Sequence, residues 1–223
     1  TTNLNAGDDQ VSAVFNLGFT FDFYGQAFTQ GRIATNGCLH FKTSGAYCND
    51  YTPDPLASQY TYTMLPFWTD LIRDNDSKML AKAFSDKTVF GWYDMREYNR
   101  ASDNSFEVIL WTNDSFEFRY GALDVINHDV LIGEVGSGSS EVYEYLFHDE
   151  CNTGSTNSNS CVNTDWNNTD KNQNLENGGS LFGPGNGVDC GNPLNDVSCT
   201  GYWEAYDDQQ CDQDPQYAPF CRG

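Results

Sequence analysis

Phe15, Leu17, Phe19, Phe21 and Phe23 alternate with polar or small residues over nine positions, the period-two pattern of a strand with one face in a core. Gly25-Gln26 reads as the turn that follows, and positions 31–41 as the next strand pair. Segments 88–93 and 106–111 also read as strands, with Asp103, Asn104 and Ser105 as the turn leading into the second. Phe116, Phe118 and Tyr120 continue the alternation, and segments 130–135 and 142–147 close the set. Only 78–84 has the composition of a helical turn or two. Short strands at this spacing predict a mainly β fold: an antiparallel, two-layer, sandwich-like domain over residues 1–150, with the phenylalanines of 15–23 facing inward.

The pattern ends near Cys151. From 151 to 188 Asn, Gly, Ser and Thr dominate, so this stretch reads as a polar linker with no face to bury. Residues 189–223 form a Cys-rich, loop-rich tail whose large apolar bodies are Tyr202, Trp203, Tyr206 and Tyr217. So short a segment is not held by burial alone, and needs disulfide staples or a docking surface. No internal repeat is apparent.

Eight cysteines, Cys38, Cys48, Cys151, Cys161, Cys190, Cys199, Cys211 and Cys221, at this density imply disulfides and a secreted or surface-displayed chain. Neighbours in the series lie 9 or 10 positions apart in pairs, which suggests sequential local pairing, although eight cysteines allow about 105 connectivities. A thiol-rich metal site is disfavoured: no Cys-x-x-Cys occurs, and His40, His128 and His148 do not stand at ligand spacing from a cysteine pair. The N-terminus lacks a basic and apolar leader, so a signal segment removed before Thr1 is expected.

Acids outnumber bases 32 to 11, a formal net charge of −21. Nothing here neutralises a run of phosphates, so nucleic acid is excluded as a partner, as are anionic membrane surfaces. No apolar run approaches the roughly 20 residues of a membrane-spanning helix. The acidity fits solubility in salty or crowded surroundings, or calcium binding.

Three blocks carry a family resemblance: LGFTFDFYG at 17–25, IATNGCLHF at 33–41 and LPFWTDL at 65–71. Together they resemble the NIDO domain, an extracellular module named from nidogen that occurs in mucin-like, adhesive and matrix proteins. NSFEVILWTN at 104–113, FEFRYG at 116–121 and VLIGEVG at 130–136 resemble later blocks of that family in the same order. The resemblance covers about residues 11–147 and implies an extracellular β module. Within it, Asn36-Gly37 reads as a turn or bulge that tolerates positive φ, Pro66 as a strand edge or first residue, and Trp68 as a core filler. Cys38 departs from the family pattern, and a staple to Cys48 suggests a stiffened edge. The tail segment 199–221, CTGYWEAYDDQQCDQDPQYAPFC, is similar to a Cys-bounded unit of secreted microbial and algal filament or surface proteins.

Catalytic constellations are not evident. Gly136-Ser-Gly-Ser-Ser lacks the spacing of a nucleophile elbow, and Gly183-Pro-Gly-Asn-Gly falls in the polar linker rather than between strand and helix. Asp70, Asp74 and Asp76 cluster as calcium candidates, but the glycine and terminal glutamate of an EF-hand loop are missing, and a solvated acidic loop is the competing reading. Asn75, Asn113 and Asn167 begin Asn-x-Ser/Thr sequons, and Thr153, Ser155, Thr156, Ser158 and Ser160 offer an O-glycan cluster.

The function expected is a non-enzymatic structural subunit of an extracellular filament, appendage or matrix, with no cofactor unless calcium. It self-assembles as a homopolymer through the β domain and tail, with the tail clasping a neighbour or, alternatively, folded back on its own domain. Other extracellular matrix or surface proteins and glycans are further expected partners. The alternatives are a secreted adhesin or lectin-like module and, third, a secreted hydrolase.

Overall fold

The computed structural model describes residues 1–45, 47, 48, 50–53, 60–125 and 127–138, and the backbone of two further strands at 142–148 and 180–182. Among the described residues, alternating segments form thirteen strands and no helix occurs. The first seven are β1 (Thr2–Asn3), β2 (Phe15–Phe23), β3 (Gln26–Ala34), β4 (Cys38–His40), β5 (Thr63–Trp68), β6 (Leu71–Ile72) and β7 (Lys78–Ala83). The rest are β8 (Lys87–Glu97), β9 (Asn104–Trp111), β10 (Phe116–Tyr120), β11 (Val130–Val135), β12 (Val142–His148) and β13 (Ser180–Phe182).

Two antiparallel sheets result. One runs β12-β11-β5-β4-β3-β2; the other runs β1-β7-β8-β9-β10-β13, with β6 added against β8. Their inner faces meet in one apolar cluster that includes Phe21, Ile33, Leu39, Phe67, Phe90, Trp92, Phe106 and Phe118. Trp92 stacks on Phe106 at 4.9 Å, and Phe67 lies 5.3 Å from the same ring. Each such side chain contributes about 2–3 kcal/mol by leaving water. Three buried hydrogen bonds cross the sandwich: Trp92 Nε1 to Ala34 O at 2.8 Å, Tyr120 Oη to Pro66 O at 2.6 Å, and Thr88 Oγ1 to Leu17 O at 2.6 Å. Directional bonds of this kind fix how one sheet lies on the other, which apolar contact alone does not.

Two tight turns shape the first sheet. Phe23 pairs with Gln26, so the connecting residues are Tyr24 (φ 52°) and Gly25 (φ 70°), both in the left-handed region that a type I′ hairpin needs. The turn thus stands one residue earlier than the sequence suggests. Across the next hairpin Ala34 pairs with Cys38, leaving Thr35-Asn36-Gly37 as the loop. Gly37 has φ +83°, and its N–H donates to Ala34 O at 3.1 Å. A Cβ there would collide with the Phe67 carbonyl, so no larger residue fits.

Phe21, Phe23 and Leu17 are buried, whereas Phe15 and Phe19 are partly buried and pack against the core. A register shift between Asn16 and Phe21, with Gly18 at φ +82°, interrupts the strict alternation.

Several expectations are corrected. Segment 78–84 is not helical: its Lys, Met, Leu and Ala favour a helix, yet Lys78–Ala83 pairs along its whole length with β8. Met79 and Ala81 then enter the core while Lys78 and Lys82 alternate outward. Asn104 and Ser105 belong to β9 rather than to a turn. Pro66 sits in an interior strand, not at an edge. Leu131 pairs with Trp68 and Gly133 with Leu65, so one residue of β11 opposes two of β5. This bulge is where a missing N–H is tolerated. Cys38 likewise lies on β4 between β3 and β5, so its staple does not stiffen an edge.

Candidate functional site

Three polar constellations stand on this frame. The first is the staple. Cys38 and His40 are two apart on β4 and therefore share a face, and Cys48 returns to them from the following loop to close the Cys38–Cys48 disulfide. His40 Nε2 accepts the Cys48 N–H at 3.1 Å, so Nδ1 carries the proton and donates to Thr63 Oγ1 at 2.9 Å. Thr63 Oγ1 in turn donates to Thr61 O. Burial, followed by the nearby Arg32, depresses the His40 pKa to about 3, keeping the ring neutral. Sulfur and nitrogen atoms of Cys38, His40 and Cys48 lie within 4.8 Å of one another, a proximity that no Cys-x-x-Cys or His spacing in the sequence announces. Both sulfurs are used by the disulfide and both ring nitrogens by hydrogen bonds, so the geometry is that of a structural knot. Trp68 packs beside it, its Nε1 donating to Asp50 O at 3.0 Å and its ring 5.2 Å from Tyr60. That is the core-filling role expected of it.

The second constellation surrounds His128. Its Nδ1 lies 3.0 Å from Glu97 Oε1 and its Nε2 lies 3.5 Å from Asp70 Oδ2. Glu97 is fully buried, and accepts the Asn127 N–H at 2.6 Å and an Arg100 N–H at 3.2 Å. Burial raises the Asp70 pKa to about 6; His128 opposes the shift, while Asp9, Asp8 and Glu97 add to it. Asn36 ties the region together: its Nδ2 donates to Asp9 Oδ1 at 2.9 Å and its Oδ1 accepts the Leu71 N–H at 3.1 Å.

Asp74 and Asp76 do not join Asp70 here. Asp74 Oδ1 accepts from the Asp76 and Ser77 backbone and from Ser77 Oγ, and Asp74 Oδ2 faces Arg96 at 3.4 Å. Asp74 therefore closes its own loop, and the backbone bonds and Ser77 hold its carboxyl below the usual range against the opposing effect of burial. Asp76 is exposed. The three carboxylates do not bring one oxygen each within 4.8 Å of the others.

The third is a cleft of about 280 Å³ lined by Asp22, Phe23, Tyr24, Asp114 and Phe116. It forms where the β2–β3 turn meets the β9–β10 turn. Asp114 Oδ1 accepts the Asp22 N–H at 2.7 Å, and Asp22 Oδ1 accepts the Gly25 N–H at 2.9 Å. Phe23 and Tyr24 stand edge to face at 4.8 Å. Two exposed carboxylates stand beside the half-buried Tyr24 ring, with Phe23 and Phe116 buried beneath them, so a polar ligand such as a sugar would meet the acids and this one ring. The sequence alone did not mark these residues as a group, since 92 positions separate Asp22 from Asp114.

Of the sequons, Asn75 and Asn113 are exposed in turns. Asn113 Oδ1 accepts from Ser115 Oγ at 2.7 Å and from the Ser115 N–H at 3.2 Å. Asn167, Cys151, Cys161, Cys190, Cys199, Cys211, Cys221, Tyr202, Trp203, Tyr206 and Tyr217 lie outside the described residues.

No curated protein and no solved structure is detectably similar to the chain. A family model described as NIDO related matches residues 1–176, which spans both sheets as far as β12 and more than half of the chain. The motifs at 17–25, 33–41 and 65–71 thus fall on β2, the β3–β4 hairpin and β5, four of the six strands of the first sheet. On this match the chain belongs to the NIDO-related family.

Proposed function

We propose that the chain is a non-enzymatic structural subunit of an extracellular filament, appendage or matrix, self-assembling through its β domain and Cys-rich tail. The observation that carries the reading is β13. It comes from the polar stretch after β12, which belongs to one sheet, and adds antiparallel to β10 of the other, Glu117 opposite Phe182 and Arg119 opposite Ser180. A sheet that accepts an added strand has the backbone chemistry by which one subunit extends another. Membership in the NIDO-related family supports an extracellular, non-enzymatic module. Asn75 and Asn113 are exposed and free to take a glycan in that location.

A net charge of −21 opposes self-association, so contacts must be short-range and assembly must strengthen with salt that screens the repulsion. Electron microscopy of the native material tests the reading: regular polymers support it, and monodisperse single particles at high concentration contradict it. The acidic and aromatic cleft favours a second reading, a glycan-binding adhesin. That reading predicts a monomer that saturates with sugar, and a loss of binding in Asp114→Asn.

A further inference from the structure

The connection between β10 and β11 carries the chain from the second sheet back to the first. Two of its residues, Leu123 and Val125, enter the core between the sheets and are 2% and 0% exposed. Neither lies on a strand, so the ladders do not hold them there. The first half of the connection is tied by the Ser105 N–H to Ala122 O at 2.8 Å, the Asp124 N–H to Asn104 Oδ1 at 2.6 Å, and Arg100 Nη2 to Asp124 Oδ1 at 2.7 Å. None of these three depends on a proton that leaves near neutral pH. The second half is tied through Asn127 and His128, and there one tie does.

His128 stands between carboxylates that come from different sheets: Glu97 ends β8 of the second, and Asp70 follows β5 of the first. Glu97 accepts N–H groups from Asn127 and Arg100, so toward His128 it is an acceptor as well, and Nδ1 carries a hydrogen. Nε2 is left facing Asp70 Oδ2 at 3.5 Å, with the His128 side chain 20% exposed to solvent. An imidazole lone pair repels an ionised carboxylate, so this contact is attractive only while a proton resides on Nε2 or on Asp70. The two groups share that proton and titrate as a pair. Burial foremost, and Asp9, Asp8 and Glu97 after it, raise the Asp70 pKa to about 6 against the opposing effect of His128. The other charges at this end, Arg100 and Asp124, are paired with each other and, through Arg100, with Glu97. We infer that His128 and Asp70 form a proton-operated latch on the β10–β11 connection, closed while the pair holds its proton and released when the proton is lost. Release parts the connection from Asp70 and lets Leu123 and Val125 leave the core. Asp70 then returns toward 3.8 and the imidazole toward about 6.5. The closed state therefore binds protons more tightly, and the open population grows with pH, from about 4 for the step at Asp70 and on through neutrality as the last shared proton leaves. The latch lies within one chain and stands whether or not subunits polymerise.

Amide hydrogen exchange of the oxidised full chain tests it, with each rate divided by the intrinsic rate at the same pH. Corrected exchange in residues 121–125 is expected to rise at least about tenfold from about pH 4.5 to 8, while residues 89–92 of β8 stay protected throughout. Asp70→Asn offers Nε2 an amide N–H that does not titrate, so the connection should stay protected at both ends of the range. His128→Ala removes the latch, and should exchange at the parent's fast, high-pH rate at every pH, again with 89–92 protected. Three results overturn the proposal: a corrected rate in the parent that does not change with pH, an Asp70→Asn variant that keeps the parent's pH dependence, or a His128→Ala variant as protected at low pH as the parent.

Discussion

Asn36 and Gly37 show how much a short motif can hold. Asn36 fastens the N-terminal loop and the start of β6 through its side chain, and Gly37 lets the Phe67 carbonyl pass where a Cβ would stand. Gly37→Ala is therefore expected to cost more than about 2 kcal/mol, from strain at positive φ and from the displaced strand. Gly25→Ala meets no atom within 4 Å and should cost about 1 kcal/mol. Chemical denaturation of the two variants checks the order. Burial sets two titrations against each other. His40 has a folded pKa of about 3 against 6.5 unfolded, so the unfolded state binds the extra proton and stability falls as pH drops below 6.5. Asp70 has a folded pKa of about 6 against 3.8 unfolded, so the folded state binds the proton and stability rises as pH drops from 6 to 3.8. Each slope reaches at most about 1.4 kcal/mol per pH unit, and they offset between about pH 4 and 6. In Asp70→Asn the His40 slope should emerge, and stability should fall more steeply from pH 6 to 4 than in the parent. Equal slopes would show that Asp70 is not the opposing group.

At the scale of elements, the strands with strict alternation were legible because period two is a local signal. Phe21, Phe23, Phe106, Phe116 and Phe118 all enter the core, as their spacing implies. Segment 78–84 misled because helix propensity is weak against a ladder of partners, and those partners lie in β8, beyond any local window. Pro66 misled because a bulge depends on the count of residues in the facing strand. The cleft and the His40 knot were hidden for the same reason, being assembled from residues distant in sequence or brought together by pairing. The staple itself was the legible part, and Cys38–Cys48 closes as the spacing suggested. Cross-linking a separation of 10 residues removes loop entropy worth about 3 kcal/mol from the unfolded chain. Cys38→Ser/Cys48→Ser should lose stability of that order in guanidinium titration, and it loses the close fit around His40 as well. A shift under 1 kcal/mol would show that packing around Trp68 and Tyr60, rather than the bond, holds the loop. Asn113 stands beside Asp114 in the β9–β10 turn, so a glycan there would border the cleft. Enzymatic deglycosylation should raise sugar affinity if the cleft binds sugar, and leave it unchanged if the cleft is only a seam between turns.

For the molecule as a whole, the two sheets, their polar cross-ties and the strand β13 that adds along β10 describe a two-layer antiparallel module. The acidic composition opposes self-association electrostatically, and the Cys38–Cys48 disulfide suits an oxidising exterior. The central claim is self-assembly, and sedimentation velocity on the oxidised full chain tests it most directly, at rising protein concentration in low and physiological salt. The account predicts a monomer at low salt that shifts to large, regular species as salt screens the net charge of −21. A single species of about 25 kDa at every concentration and salt would contradict it.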